Sequence, residues 1–239
     1  EPEFFATSAQ RHWAQDSYRH GLYPITAGRW LAQVMDEEYG LPASAFDLGV
    51  DTDLYRPSPV ARRDDVVLFY ARASTPRRAT PLAFAALAEL KRRRPGVELW
   101  LYGHPSPAGV DFPFRHLGVV EGRELADLYS TATAGLVLSM TNYSLVPQEM
   151  LACGLACVEL DSPSIVAAFG RDGPVDLAAF EPHAIADALE RLLDDPALRA
   201  RRAQEGAAMA AARTWPAAAE QVEAGLVAAI AFARDPARR

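Results

Sequence analysis

VVLFYARASTPRRATPLAFAALAELKRRRPGVELWLYG, residues 66–103, holds the reading on which the rest of the chain turns. Val66 to Tyr70 at its start and Glu98 to Tyr102 near its end are short runs of Val, Leu, Phe, Trp and Tyr, each broken off by a polar or glycine-containing loop. That length and those residue types predict strands. Between them, Thr80 to Arg94 has a helical pattern. The strands are apolar on both sides rather than alternating, so they are expected to be central and covered on both faces. The alternation continues downstream, with strands expected at His116 to Val120, Gly135 to Ser139 and Ala156 to Leu160, and helices at Gly122 to Ser130, Val146 to Cys153 and Pro163 to Phe169. Strand following helix in this way predicts an α/β chain with a doubly wound, Rossmann-like parallel sheet. In an open parallel sheet the ligand lies beyond the carboxyl ends of the strands, which puts function in the strand-to-helix loops.

The flanks read differently. Helices are expected at His183 to Leu193, Pro196 to Ala211 and Pro216 to Arg234, the prolines as first-turn residues, with Ala237 to Arg239 fraying. Glu1 to Gly40 carries Phe4, Phe5, Trp13, Tyr18, Tyr23, Trp30 and Tyr39 in two helical stretches around a short Leu22 to Thr26 run. Pro57 to Arg63 is a hinge or boundary segment by composition. The expected division is 1–45 as the end of another domain and crossover, 46–215 as the Rossmann-like domain, and 216–239 as a C-terminal helix and tail.

Bulk properties narrow the chemistry. Half of the 239 residues are apolar, enough for a sizeable core, and the net charge of −7 argues against a surface built to hold a nucleic-acid backbone. Any phosphate must be met locally. No apolar run approaches the roughly 20 residues that span a bilayer, and the Glu1-Pro2-Glu3-Phe4-Phe5 start lacks the pattern of a signal peptide, so the cytoplasm is the expected compartment. Cys153 and Cys157 have no accompanying His or second Cys pair and read as buried thiols rather than metal ligands.

Two loops carry the chemistry. Arg72, Arg77 and Arg78 cluster after the first strand, and the guanidinium fork binds phosphate oxygens in pairs, so this loop is either a diphosphate clamp or a solvated basic turn. After the fourth strand, SMTNYSLVPQEMLACG, residues 139–154, opens a helix whose free first-turn amides and positive dipole end suit a diphosphate. Glu149 lies early in that helix, placed either to accept hydrogen bonds from both hydroxyls of a ribose or merely to complement the dipole. Gly154 closes the helix as a C-cap. No G-x-G-x-x-G follows the first strand, which disfavours a dinucleotide-dependent oxidoreductase.

HLGVV, ELADLYSTATAGLVLS and LVPQEMLACGLACVELD, between His116 and Asp161, resemble the donor-binding domain of family 4 retaining glycosyltransferases, and DLGVDTDLYRP, Asp47 to Pro57, resembles the segment leading into it. The EPEFF start, AQDSYRHGLYPITAGRWLAQVMDEEYG, the FYAR loop and NYSLVPQEM are similar to bacterial surface-polysaccharide rhamnosyltransferases of the WsaF type. The resemblance implies one half of a GT-B fold with an extra N-terminal helical segment, acting as a metal-independent glycosyltransferase without cofactor. The diphosphate-holding and catalytic cations fall on Arg72 and on Arg77 or its neighbour Arg78. The ribose-binding acid falls on Glu149, and the loop whose amides meet the diphosphate on Asn142, Tyr143, Ser144 and Leu145. Val119 or Val120 takes the place where the nucleobase is read, and Tyr102, Gly103 and His104 close the second strand's edge, His104 being a ligand contact or polar surface. The first Glu of the family's E-x(7)-E motif falls on Thr141; this departure suits a different sugar, a 6-deoxyhexose such as rhamnose among them. The implied partners are a nucleoside-diphosphate sugar, with dTDP-rhamnose favoured and UDP- or GDP-sugars as alternatives, a glycan acceptor, and a missing N-terminal domain through which the enzyme would meet the inner membrane. The rival expectation is a non-catalytic nucleotide-sugar-binding or protein-interaction module of the same fold.

Overall fold

A computed structural model describes residues 11–72, 74–104 and 109–235. Phe4, Phe5, the EPEFF start, Ala73 and the Ala237 to Arg239 end lie outside the described residues. The centre is a six-stranded parallel sheet built from β3 (Val66–Tyr70), β4 (Glu98–Tyr102), β5 (Arg115–Gly118), β6 (Ala134–Leu136), β7 (Cys157–Leu160) and β8 (Asp176–Ala178), in the order β5-β4-β3-β6-β7-β8. This is the doubly wound order, and its reversal lies between β3 and β6.

Period-two geometry sends neighbouring residues of each strand to opposite faces. Val67, Phe69, Leu99 and Leu101 join one core with α3 (Thr80–Arg93) and α7 (Pro182–Asp194). Val66, Leu68, Trp100 and Tyr102 join another with α4 (Gly122–Thr131), α5 (Leu145–Ala152) and α6 (Pro163–Phe169). Both faces are dry, which is why these strands are apolar throughout.

Two strands end earlier than the sequence suggested. The run expected to continue to Ser139 ends as a strand at Leu136; the Val137 amide still donates to the Val158 carbonyl at 3.1 Å, and the Ser139 amide then turns to the Glu159 carboxylate at 2.7 Å. The run expected to reach Val120 stops at Gly118, where φ is 71°.

The first and last described elements pack on each other. After α1 (Arg11–Ser17), β1 (Ile25–Ala27) and β2 (Ser44–Phe46) form a small parallel pair bridged by α2 (Arg29–Tyr39). α8 (Pro196–Ala212) crosses beneath α5, and α9 (Trp215–Arg234) returns over the pair. The Asp47 amide donates to the Gln221 side chain at 2.7 Å, and the Tyr23 and Phe232 rings meet edge to face. No helix among the described residues is long and apolar enough to cross a membrane.

Candidate functional site

The loops after β3 and β6 diverge at the strand-order reversal, and a cleft of about 850 Å³ opens between them. Arg72, Arg77, Arg78, Gly103, Val119, Val120, Asn142, Tyr143, Ser144, Leu145 and Glu149 all line it, so every site residue expected from the sequence comes to one place. His104 lines it as well, its carbonyl oxygen accepting from His116 Nε2 at 2.8 Å.

Arg72 is exposed, its guanidinium 3.3 Å from the Tyr70 hydroxyl. Arg77 and Arg78 stand on a single 3-10 turn, Pro76–Arg78, that leads into α3. Arg78 is tied down: its Nη1 donates to Ser139 Oγ at 2.8 Å and to Ser144 Oγ at 3.0 Å, and its guanidinium lies over the Tyr70 ring. Burial lowers its pKa while Glu159 works against that, so the charge is retained at some desolvation cost. Ser144 is the N-cap residue of α5, but its hydroxyl oxygen accepts from Arg78 and makes no cap bond to the helix. The first turn of α5 is therefore left without a side-chain cap, and Ser144, Leu145 and Val146 at its start line the cleft.

Glu149 follows one turn later. A surface acid near a helix start would have its charge favoured. Instead, burial pushes the Glu149 carboxyl up to about 7, with the Tyr129 hydroxyl acting against the rise. This is the signature of a carboxyl built into a pocket wall. Thr141 does not line the cleft. It is buried, its carbonyl oxygen accepts from Ser164 Oγ at 2.5 Å, and its Oγ1 has no hydrogen-bond partner.

Contributions from outside the six-stranded sheet carry no motif that would mark them in the sequence. Ala27, at the end of β1, and Leu48 also line the cleft. The Ala27 carbonyl oxygen accepts from Asn142 Nδ2 at 2.6 Å, and the Leu48 amide donates to the Tyr143 hydroxyl at 3.0 Å. Gly28, at φ 96°, lets the backbone lie against Tyr143, where a Cβ would fall 2.5 Å from the ring. Among the described residues no group of acids, histidines and cysteines is arranged to hold a metal ion. Cys153 and Cys157 are buried free thiols, and burial pushes Cys153 up to about 12.

The family described as WsaF, C-terminal domain, matches residues 65–190, which hold the six-stranded sheet and all of the cleft's lining except Ala27 and Leu48. The chain belongs to that family. Its fold is one half of a GT-B glycosyltransferase, and solved structures share it: sucrose-phosphate synthase from Thermosynechococcus elongatus, at a TM-score of 0.77 and 17% identity, is matched over 98% of this chain and 66% of that one. HepE of Anabaena in complex with UDP and glucose gives a TM-score of 0.71 at 17% identity, over 98% of this chain and 69% of that one. By sequence, the O-antigen biosynthesis protein RfbC of Myxococcus xanthus is 30% identical over 233 residues, 95% of this chain and 18% of RfbC. The chain spans between 18% and 56% of the length of the curated relatives it matches.

Proposed function

We propose that this WsaF-family domain binds the nucleoside-diphosphate sugar donor of a glycosyltransferase that builds a surface polysaccharide. The observation that carries the reading is convergence: an arginine loop, an uncapped helix N-terminus and a buried carboxyl meet in one cleft at the reversal of strand order. Arg72 and Arg77 bind the diphosphate together with the amides that follow Ser144, Arg78 holds those amides in place, and Glu149 accepts from the ribosyl hydroxyls. Val119 and Val120 border the base.

In the transfer step negative charge accumulates on the departing diphosphate. Fixed guanidiniums and helix amides stabilise that charge more than they stabilise the bound donor, which is the condition for catalysis. They do so without a metal. The glycan acceptor and the remaining apparatus belong to an N-terminal domain of the longer enzyme.

dTDP-rhamnose is the donor we favour, on the resemblance to surface-polysaccharide rhamnosyltransferases; Thr141, buried outside the cleft, does not select the sugar by contact. The complex of HepE with UDP and glucose keeps uridine donors as the competing choice. Calorimetric titration with dTDP-rhamnose, UDP-glucose and GDP-mannose in EDTA separates them. Arg72→Ala and Glu149→Ala are each expected to weaken the donor that binds by about 1 to 3 kcal/mol. The Glu149→Ala loss should be smaller for a thymidine donor, whose deoxyribose has one hydroxyl to offer rather than two. Donor binding that needs a divalent ion, or that ignores both substitutions, would count against this reading and toward an interaction module of the same fold.

A further inference from the structure

We propose that Ser144 is a further ligand group of the cleft: Arg78 holds its hydroxyl oxygen, and its hydroxyl hydrogen is donated to a diphosphate oxygen of the ligand. The role rests on the reading of the cleft as the seat of a donor diphosphate, and it adds a side-chain donor where that reading has backbone amides alone.

A guanidinium donates and never accepts. Arg78 Nη1 lies 2.8 Å from Ser139 Oγ and 3.0 Å from Ser144 Oγ, so both serine oxygens are the acceptors and each serine keeps its own hydrogen. The two serines are not equivalent. Ser139 is 1% exposed and lies behind the cleft's lining, with its amide fastened to the Glu159 carboxylate at 2.7 Å. Ser144 lines the cleft, yet it is only 9% exposed. Among the described residues the Ser144 hydroxyl hydrogen has no acceptor. A hydroxyl set this deep costs free energy while its donor goes unmet. A ligand oxygen in the cleft supplies the missing partner.

The surroundings decide what kind of oxygen that is. An N-cap serine ordinarily takes a bond from the second or third amide of its helix. In α5 the third residue is Pro147, which has no N–H, and Ser144 makes no cap bond. The first turn thus offers one free N–H fewer than a helix start usually does, and the Ser144 hydroxyl is a donor at the same place. Positive charge gathers around it: Arg78 on its oxygen, Arg72 and Arg77 lining the same cleft, and the positive end of the α5 dipole. Accepting from a cation polarises the hydroxyl and makes it a stronger donor. A donor so placed suits an anionic oxygen better than a neutral carbonyl or sugar hydroxyl, and the phosphate oxygen is the anion of this cleft's ligand.

The test is calorimetric titration of wild type, Ser144→Ala, Ser144→Thr and Ser139→Ala, each first checked for an unchanged melting temperature. The probes are dTDP, UDP, inorganic pyrophosphate and the phosphate-free nucleosides thymidine and uridine. Ser144→Ala should weaken the diphosphates about tenfold and leave the nucleosides as they are. Ser144→Thr keeps a hydroxyl and should restore most of the loss. Ser139→Ala removes the other bond of Arg78 but spares the cleft-facing hydroxyl, and should weaken the diphosphates no more than about twofold.

Equal losses in Ser144→Ala and Ser139→Ala overturn the proposal, because the hydroxyl then acts only by holding Arg78. A Ser144→Ala variant that binds diphosphates as wild type does, or that weakens the nucleosides equally, overturns it too. Should Ser139→Ala fail to fold, Ser144→Ala is placed in an Arg78→Ala background, where a further loss of diphosphate affinity is expected and no further loss overturns the proposal. Pyrophosphate bound in a Ser144-dependent way by a chain that binds no nucleotide keeps the proposal and removes the nucleotide-sugar reading. A wild-type chain that binds none of the diphosphates removes both.

Discussion

Arg72 and Arg78 are of one residue type on one loop, yet their neighbours give them different work. Arg78 makes two hydrogen bonds that fasten the start of α5 to the loop after β3, whereas Arg72 stands in solvent beside Tyr70. Arg78→Ala is expected to cost about 1 to 3 kcal/mol of stability as well as donor affinity, because it leaves buried hydroxyls without their partner. Arg72→Ala should leave stability within about 0.5 kcal/mol and lower affinity alone. Denaturant melts beside titrations check the split, and equal stability loss in both variants would refute it. Beneath Arg78 lies Glu159, fully buried, with one carboxyl oxygen held by the Ser139 and Leu160 amides and the other unpartnered. Burial pushes it from 4.5 up to about 7. A carboxyl raised in the folded state binds its proton more tightly there than when unfolded. Its contribution is complete below about pH 4.5 and fades as pH rises through 7, by an amount on the order of 3 kcal/mol. Glu159→Gln fixes the uncharged form. It should flatten the fall of stability between about pH 5 and 8 relative to wild type. Comparing the two chains isolates the effect, because Glu89, held down to about 2 by hydrogen bonds from Arg92 and Arg93, acts equally in both.

At the scale of elements, burial on both faces made β3 and β4 legible, and the loops after β3 and β6 followed from the sheet. β8 was not legible: it is three residues, Asp-Leu-Ala, and its first side chain is acidic. Only the fold explains it, since Asp176 is buried against Arg191 and Arg202 at 2.9 and 3.5 Å. The same applies to the head of the cleft. Nothing in Ala27 or Leu48 advertises a role, because what they supply is backbone, delivered to Asn142 and Tyr143 from about a hundred positions away in the chain. Tyr129 stands inside the motif ELADLYSTA, but its hydroxyl contact with Tyr102 at 2.8 Å depends on how α4 lies against β4. The position of α5 is itself set by α8, where Gly206 packs so tightly that a Cβ would lie 2.6 Å from Leu151. In an open helix Gly206→Ala would gain about 1 kcal/mol. Against Leu151 the sign reverses, since overpacking costs about 1 to 3 kcal/mol, and the helix that moves is the one carrying Glu149. Urea unfolding should show a net loss, accompanied by weaker donor binding; a stabilised variant would mean that α5 and α8 are farther apart than described.

On the scale of the whole molecule, the head and the last helix were set apart by the sequence at opposite ends, and the fold makes them one unit. α9 lies on β1 and β2, and β1 ends at the Ala27 carbonyl that anchors Asn142. The cleft is thereby coupled to the final helix through two contacts, neither of which involves the sheet. A disulfide between Ser44→Cys and Gly225→Cys tests that arrangement. A Cβ at Gly225 would stand 3.2 Å from the Ser44 Cβ, slightly inside the usual span of a disulfide, so closure needs a shift of a few tenths of an ångström. The native thiols are buried and do not compete. Pinning so long a loop can contribute up to about 5 kcal/mol, less whatever the crowding costs. The Ile25 side chain, also 3.2 Å from that Cβ, must yield, and the bond between the Ser44 and Tyr23 hydroxyls is lost. The net expectation is a gain of about 1 to 3 kcal/mol on oxidation, read as a higher melting temperature reversed by reductant, with donor affinity kept. If the paired thiols stay reactive under oxidising conditions, α9 does not rest on β2 in solution; if they close and donor affinity drops, the head must move relative to α9 for the cleft to accept its ligand.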